Sequence, residues 1–525
     1  MPFLSINGWR VPVRRCELQP FEIGERARAT DGSMLLQRRA VKRRWNVETA
    51  LLQWIDGNAL WQLVQGRGHQ WRFNGSTSPQ DTTGGAQLAS DGGLVPTNTP
   101  NHTIERTTAV DGSAVNWAYS TTQSASPSAF GAGSVFVSEG TTNLLSSNTR
   151  TCEDSGTPPA GWSVWNGATV TSTTSHKWQG TRSVSVVTPN VTANEGAIGG
   201  TASLTSGVAY VASVYVKAAS AFSLDFRAQR PAGAEASTTF TTVANTWVRV
   251  FLPFTAGATT TFDIRVSTPA QASRTFFIDG AQIEALTTSQ SNIATPWADG
   301  TRAASNAINY TPTIVQAVCS HTVSAWVRCA PGSSDGEDVV LWYPTSTSSG
   351  NFSALQFDSS RRPVFKLADP SNTRYAATGT ALAPGASWHH LVGVYDSYAA
   401  TVSLYVDGSL VQTTSYASSS VPNFSSASVL CIGGEDQGTG GQFWAGIDEV
   451  TILPFAASST LVTALYTGAA VPWLSLPKLR VEGDGVDGVA TCIGNTSRGT
   501  YAVVQRSGVG IQKNNLALSF DLEEV

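Results

Sequence analysis

Charge is scarce in this chain: Asp, Glu, Lys and Arg together make up 13% of its 525 residues. Methionine is scarcer still, with two residues, while glycine reaches 48 and Ser/Thr-rich text separates short apolar runs. That balance predicts β modules with many turns. No stretch approaches the roughly 18 consecutive apolar residues of a membrane-spanning helix, so insertion by that route is not expected. The opening MPFLSINGWR has neither the charged head nor the apolar run of a secretory signal, and a soluble chain without Sec export is expected. No Cys-x-x-Cys spacing occurs, which argues against a zinc ribbon or a dithiol redox site. The six cysteines, at 16, 152, 319, 329, 431 and 492, are scattered and read as free thiols. On an extended strand Cys319 and Cys329 would stand about 33 Å apart, too far to bridge.

At about 150 residues per domain, the length implies three or four domains. Net charge is −4, yet residues 1–72 hold twelve Arg and Lys against six Asp and Glu, a net of +6 that leaves −10 for the remainder. A basic N-terminal unit and an acidic remainder are physically different pieces. The basic excess concentrates in RRAVKRRW, residues 38–45, where five of eight positions are positive.

The N-terminal piece, 1–73, reads as strands around a TDGS turn. A short helix follows behind Asp56, with Ala59, Leu60, Leu63 and Val64 at helical spacing and Gly66 and Gly68 to end it. Residues 74–142 are rich in Ser, Thr, Gly and Pro, either an extended connector with some pairing or part of the next module. From 143 to 290, alternating segments such as GVAYVASVYVKA and TWVRVFLPF predict an antiparallel β-sandwich. A linker at 291–309 leads to a second sandwich at 310–475, in which Asp407-Gly408 supplies a hairpin turn and SSTLVTALYTG a short helix. Residues 476–525 return to strand-like text.

The second block resembles concanavalin A-like and laminin-G-like jelly rolls. The matching residues are V-S-A-W-V (323–327), W-H-H-L-V-G-V-Y-D (388–396), V-S-L-Y-V-D-G (402–408), I-G-G (432–434) and F-W-A-G-I-D-E-V (443–450). The first block is similar to the jelly-roll carbohydrate-binding modules of phage tail proteins. There E-G-T-T-N-L-L (139–145) leads in, F-F-I-D-G-A-Q-I-E (276–284) leads out and A-T-P-W-A-D-G-T-R-A-A (294–304) trails. The N-terminal unit resembles the hub of a distal tail protein, the ring joining the tail tube of a long-tailed bacteriophage to its baseplate or tip. That likeness rests on I-G-E-R-A-R-A-T-D-G-S (23–33), K-R-R-W (42–45), L-W-Q-L-V (60–64) and G-R-G-H-Q-W-R-F (66–73). In that family a chain end returning from inserted outer domains can complete the hub's barrel, a role that 476–525 fits.

Together these resemblances imply a mainly β chain: a split β-barrel hub with one short helix, carrying two antiparallel β-sandwich (jelly-roll) domains. They imply a virion structural protein at the phage tail tip, assembled in the host cytoplasm as a homo-oligomeric ring of six copies. Its partners would be the tail tube, the tail tip or baseplate proteins and host cell-surface polysaccharide.

An enzyme of the sandwich-glycosidase type would need two carboxylates about 5 to 10 Å apart across a cleft. The second block offers Asp335, Glu337, Asp338, Asp358, Glu435, Asp436, Asp448 and Glu449, without the E-x-D-x-x-E spacing of concanavalin A-like glycanases. Asp448 and Glu449, adjacent on a strand, are expected on opposite faces. A non-enzymatic protein is therefore expected; a tail-associated or secreted lectin is the alternative, and a polysaccharide-degrading tail enzyme the weaker one. No cofactor is expected. Calcium is the one ion that SSDGED and GEDQGTGG could hold, through Asp335, Asp338 and Asp436, although a solvated loop is the favoured reading. His389 and His390, neighbours on a strand, are not expected to share an ion.

Sugar binding by sandwich modules uses exposed aromatic faces with polar neighbours. Trp162, Trp165 and Trp178 lie in loop-like text of the first sandwich and are glycan-binding candidates, as are Trp342, Tyr343 and Trp444 in the second; Trp247 and Trp326 read as core. In RRAVKRRW, strand alternation sets Arg38, Lys42 and Arg44 on one face and Val41 and Trp45 on the other. We assign that basic stripe to subunit contacts in an assembled ring in preference to nucleic acid, and expect no sequence-specific nucleic-acid binding.

Overall fold

The computed structural model describes residues 102–118, 124–286, 294–310, 320–328, 337–343, 350–382, 387–396, 399–417, 429–435, 446–453 and 456–468, with short pieces at 69–72, 96–97 and 442–443. For strands within 3–53 and 478–524 it describes the backbone and its pairing. The chain is mainly β. Among the described residues there are two helices, α1 (Ser147–Thr151) and α2 (Ser459–Tyr466). The second is the one expected in SSTLVTALYTG: the Ser458 hydroxyl accepts from the Leu461 N–H, and Val462 and Leu465 face inward. The helix expected behind Asp56 lies outside the described residues. Among the described residues no helix is long and apolar enough to cross a membrane.

The first sandwich packs two sheets. One runs Trp162–Trp165, Gly196–Leu204, Thr260–Ser267, Ser223–Arg230, Gly233–Thr241. The other runs Thr169–Thr173, Ser183–Pro189, Ser273–Ala285, Ala209–Ala218, Thr246–Thr255, Ala114–Ala118, Ser124–Ala125. Alternation at period two decides which faces meet. In Ala209–Ala218, Tyr210, Ala212, Val214 and Val216 enter the core between the sheets. Val211 and Tyr215 face the other way, into a second apolar cluster with Trp117, Trp178, Trp247 and Trp297.

The second sandwich has a six-stranded sheet, Ile308–Tyr310, Val429–Ile432, Glu337–Tyr343, Ser353–Phe357, Pro363–Ala368, Arg374–Thr378. Its other sheet runs Ser409–Ser415, Thr401–Val406, Trp388–Asp396, His321–Arg328, Gly446–Leu453, Gly133–Phe136, Thr103–Arg106, and His69–Trp71 also pairs with Gly446–Leu453. The hairpin expected at Asp407-Gly408 is present: both residues have positive φ, 49° and 77°, which Asp tolerates and Gly prefers.

The Ser/Thr/Gly-rich stretch 74–142 contains more than a connector. Thr103–Arg106 and Gly133–Phe136 pair with each other and extend the second sandwich, while Ala114–Ala118, between them in sequence, runs parallel to Thr246–Thr255 in the first. One short segment thus supplies strands to both sandwiches, and Trp117 marks the junction. Its indole is fully buried, with the Arg249 guanidinium 5.5 Å and the Arg328 guanidinium 3.7 Å from the ring centroid. Arg249 belongs to the first sandwich and Arg328 to the second. Glu105, also buried, interacts electrostatically with both and with Arg302; burial nevertheless holds its carboxyl above the usual range.

The two chain ends share one sheet in the order Met34–Thr49, Trp9–Arg28, Phe3–Ile6, Lys478–Gly483, Gly499–Gln512, Asn515–Glu524, Leu52–Gln53, and Met34–Thr49 also pairs with Asn515–Glu524. RRAVKRRW is a strand, as expected, but its alternation is interrupted. Gly24 pairs with Arg38 and Ile23 with Ala40, so one residue is inserted at Arg39. The backbone register thus carries a bulge at Arg39; the faces taken by Arg38, Lys42 and Arg44 lie outside what the structure describes.

Candidate functional site

The outward face of the five-stranded sheet combines an aromatic ring with a paired array of charges. Leu224, Phe226 and Ala228 of Ser223–Arg230, and Phe262, Ile264 and Val266 of Thr260–Ser267, enter the core. Their alternates, Asp225, Arg227, Asp263 and Arg265, consequently share the opposite face. In register, Arg227 stands directly across from Arg265, an arrangement that costs stability unless each charge is compensated. Compensation is local. Arg265 makes a bidentate pair with Asp263 at 2.7 and 2.9 Å; Arg227 donates to Asp225 at 2.7 Å and to the Asn194 side chain at 2.6 Å. Thr239 donates to the other oxygen of Asp225.

Trp165, half-buried at the end of its strand, lies against both cations: the Arg265 guanidinium is 4.8 Å and that of Arg227 5.4 Å from its ring centroid. Cation–π attraction of roughly 0.5–1 kcal/mol per contact at an exposed site fixes the ring's orientation. A flat β surface offering guanidinium donors, carboxylate acceptors and an indole matches adjacent hydroxyls and the C–H face of a pyranose.

Of the proposed tryptophans that lie among the described residues, Trp165 alone is placed for this. Trp162, Trp178 and Trp342 are 4%, 2% and 1% exposed, and a ring enclosed in core cannot stack on a sugar. WSVW is a strand rather than a loop, so residues three apart take opposite faces and Trp162 turns inward. Trp178 stacks on Tyr215 at 3.7 Å between centroids. The side chain of Tyr343 and the whole of Trp444 lie outside the described residues, as do the side chains of Arg38, Lys42 and Arg44. The sequence reading missed the four charged partners. Their signal was the Asp-x-Arg spacing repeated in FSLDFRAQR and TFDIRVST, which puts like pairs on one face of adjacent strands.

The second sandwich departs from two expectations. Trp247 is core, but Trp326 is not: Val323, Ala325 and Val327 enter the core, and Ser324 and Trp326 turn to the outer face beneath α2. Asp448 and Glu449 do not oppose each other across the sheet. Ile447 and Val450 are both core, and the register slips between Ser324 and Trp326 of the partner strand. Glu449, at φ 44°, is the extra residue of a bulge, so both carboxylates reach the outer side. Asp448 is fully enclosed and accepts from the Ser128 hydroxyl at 2.6 Å and the Ala129 and Phe130 N–H groups at 2.9 and 3.2 Å. Burial pushes its carboxyl well above the usual range.

Asp335 and Asp436, weak calcium candidates, lie outside the described residues, and Asp338 is buried. Among the described residues no group of three or more His, Cys, Asp or Glu is placed to hold a metal. His389 bonds Asp407 at 2.9 Å while His390 bonds Ser324 at 2.8 Å. Cys152 and Cys431 are buried free thiols.

No curated protein matches the chain. Among solved structures, a carbohydrate-binding module of a Ruminococcus gnavus sialidase bound to α2,3-sialyllactose is 14% identical, overlapping 30% of this chain and 87% of that one with a TM-score of 0.25. Botulinum neurotoxin type C, described with two ganglioside molecules, is 14% identical over 32% of this chain and 40% of its own, also at 0.25. The binding domain of Paraclostridial Mosquitocidal Protein 1 gives 14%, 31%, 41% and 0.25. Overlaps this loose carry no functional weight. Family matches are more specific: residues 148–273 match the family described as Carbohydrate binding domain, and residues 302–463 match the Concanavalin A-like lectin/glucanases superfamily. The chain therefore carries one carbohydrate-binding-type and one concanavalin A/laminin-G-type β domain.

Proposed function

We propose that the protein is a distal tail hub of a long-tailed bacteriophage, a virion structural protein that joins tail tube to tip and presents its two sandwiches to host-surface glycans. In this reading it acts by assembly and attachment, without an enzymatic step or a resident cofactor. The observation that carries it is the pairing of the chain ends: the hydrogen-bonded order from Met34–Thr49 through Phe3–Ile6 and Lys478–Gly483 returns to Met34–Thr49 through Asn515–Glu524. That connectivity is what a split barrel would need, and it leaves both carbohydrate-type sandwiches as one insertion between its halves. Attachment rests on the Trp165 face, which lies within the matched carbohydrate-binding segment. Weak single contacts to surface polysaccharide would multiply through the copies of a ring.

Negative-stain images of the purified chain test the hub. Rings with peripheral lobes are expected, and replacement of Arg38, Lys42 and Arg44 by Glu should abolish them while the sandwiches keep their β circular dichroism. Monomers under conditions that preserve virions would overturn the hub. Release of reducing sugar from host polysaccharide, abolished by a single Asp or Glu substitution, would overturn the non-enzymatic reading.

A further inference from the structure

Beneath α2, on the outer face of the eight-stranded sheet, lies a cavity of about 290 Å³ that the Trp165 face does not include. Its wall contains Trp326, Ser324, His390, Glu449 and Arg72. The bulge sets the Glu449 side chain in that wall. The Gln70 amide donates to Glu449 at 2.7 Å, Arg72 donates to Gln70 at 3.0 Å, and the Arg72 Nε stands 3.8 Å from Glu449. Half-buried Trp326 is set in an aromatic surround, stacked on Tyr466 at 5.5 Å and met edge-on by Phe130 at 5.2 Å. His390, 1% exposed, uses Nε2 toward Ser324, but its buried Nδ1 has no hydrogen-bond partner. That nitrogen is itself enclosed, so the polar groups open to an occupant are those of Arg72 and Glu449, beside the indole of Trp326.

We infer that this cavity is a binding site for a single neutral sugar ring at the end of a glycan chain. The inference rests on the glycan-binding part of the reading above and adds a second, separately located site. Size limits the occupant, since the volume sits at the low end for ligand pockets and admits one ring rather than an extended chain. Charge selects it further: the Arg72 and Glu449 charges cancel, and burial keeps the imidazole of His390 neutral above about pH 4. An anion would gain no net attraction, whereas hydroxyls find both donors and acceptors beside an indole.

Saturation-transfer NMR on the full chain tests this with glucose, galactose, mannose and N-acetylglucosamine offered singly, and glucuronic acid as the anionic control. At least one neutral sugar should receive saturation that persists in Trp165→Ala and drops at least fivefold in Glu449→Gln and in Arg72→Met. Glu449→Gln preserves side-chain size and Arg72 is partly exposed, so the two variants guard against simple misfolding. The site is overturned by absence of transfer to every neutral sugar, by stronger transfer to glucuronic acid, or by signals that neither variant reduces. Transfer lost in Trp165→Ala but kept in Glu449→Gln overturns the cavity and leaves the first sandwich as the binder. The converse supports the cavity and leaves the Trp165 face to be judged by its own titration with polysaccharide.

Discussion

Trp162 and Trp165 sit three residues apart on one strand, and their replacement should have unlike consequences. Trp162→Ala empties a core position and is expected to cost about 3–5 kcal/mol, read as a lowered melting temperature. Trp165→Ala should change stability by no more than about 1 kcal/mol while weakening polysaccharide binding about tenfold in calorimetric titration. His102 makes a third case. It is enclosed, neither ring nitrogen has a hydrogen-bond partner, and burial lowers its pKa to about 4. An unfolded His takes its proton near pH 6.5, so its neutral burial stabilises the fold fully above that pH and progressively less as pH falls toward 4. Buried Asp279 and Asp448, with raised pKa values, act in the opposite sense, so the His is best isolated by difference. Relative to wild type, His102→Leu should gain about 2–3 kcal/mol in urea unfolding between pH 7.5 and pH 4.5. A constant difference would show that His102 is not the titrating group.

At the level of strands, much of the architecture was legible because core faces repeat every second residue, as in GVAYVASVYVKA and VSAWVR. What escaped has physical causes. Counting by two cannot register an inserted residue, so the bulge at Glu449 brought that carboxylate to the side expected for Asp448 alone. Nor does text such as NHTIERTT announce a strand, since Ile104 is its one apolar residue and the four-residue strand Thr103–Arg106 is legible only once a neighbouring sheet edge is there to pair with it. Parity alone also left open which face of VSAWVR would meet the core, and Trp326 fell on the other side. The shared segment invites a direct test. Val115 donates its N–H to Thr107 and lies in register with Trp247. Val115→Pro removes that donor and should cost about 3 kcal/mol. Hydrogen exchange should then quicken in Thr246–Thr255 as well as in Thr103–Arg106; faster exchange confined to one of them would show that the segment does not couple the two sheets.

For the molecule as a whole, two domains that the sequence separates by a linker are joined by a buried junction of Trp117, Glu105, Arg249 and Arg328. Breaking it would strand buried charges, which disfavours opening one sandwich while the other stays folded. Scanning calorimetry should therefore show a single transition for residues 102–468, and Trp117→Ala should split it into two. Two resolved transitions in the wild type would sink this coupling.

The parallel pairing of Ala114–Ala118 with Thr246–Thr255 also bears on mechanics. If a bound sugar chain is tugged while the chain ends are held elsewhere, tension crossing that pair along the strand direction loads its hydrogen bonds together rather than one after another. The two sandwiches then respond to a pull as a single stiff lever, and a tether made anywhere along that lever strains the same seam.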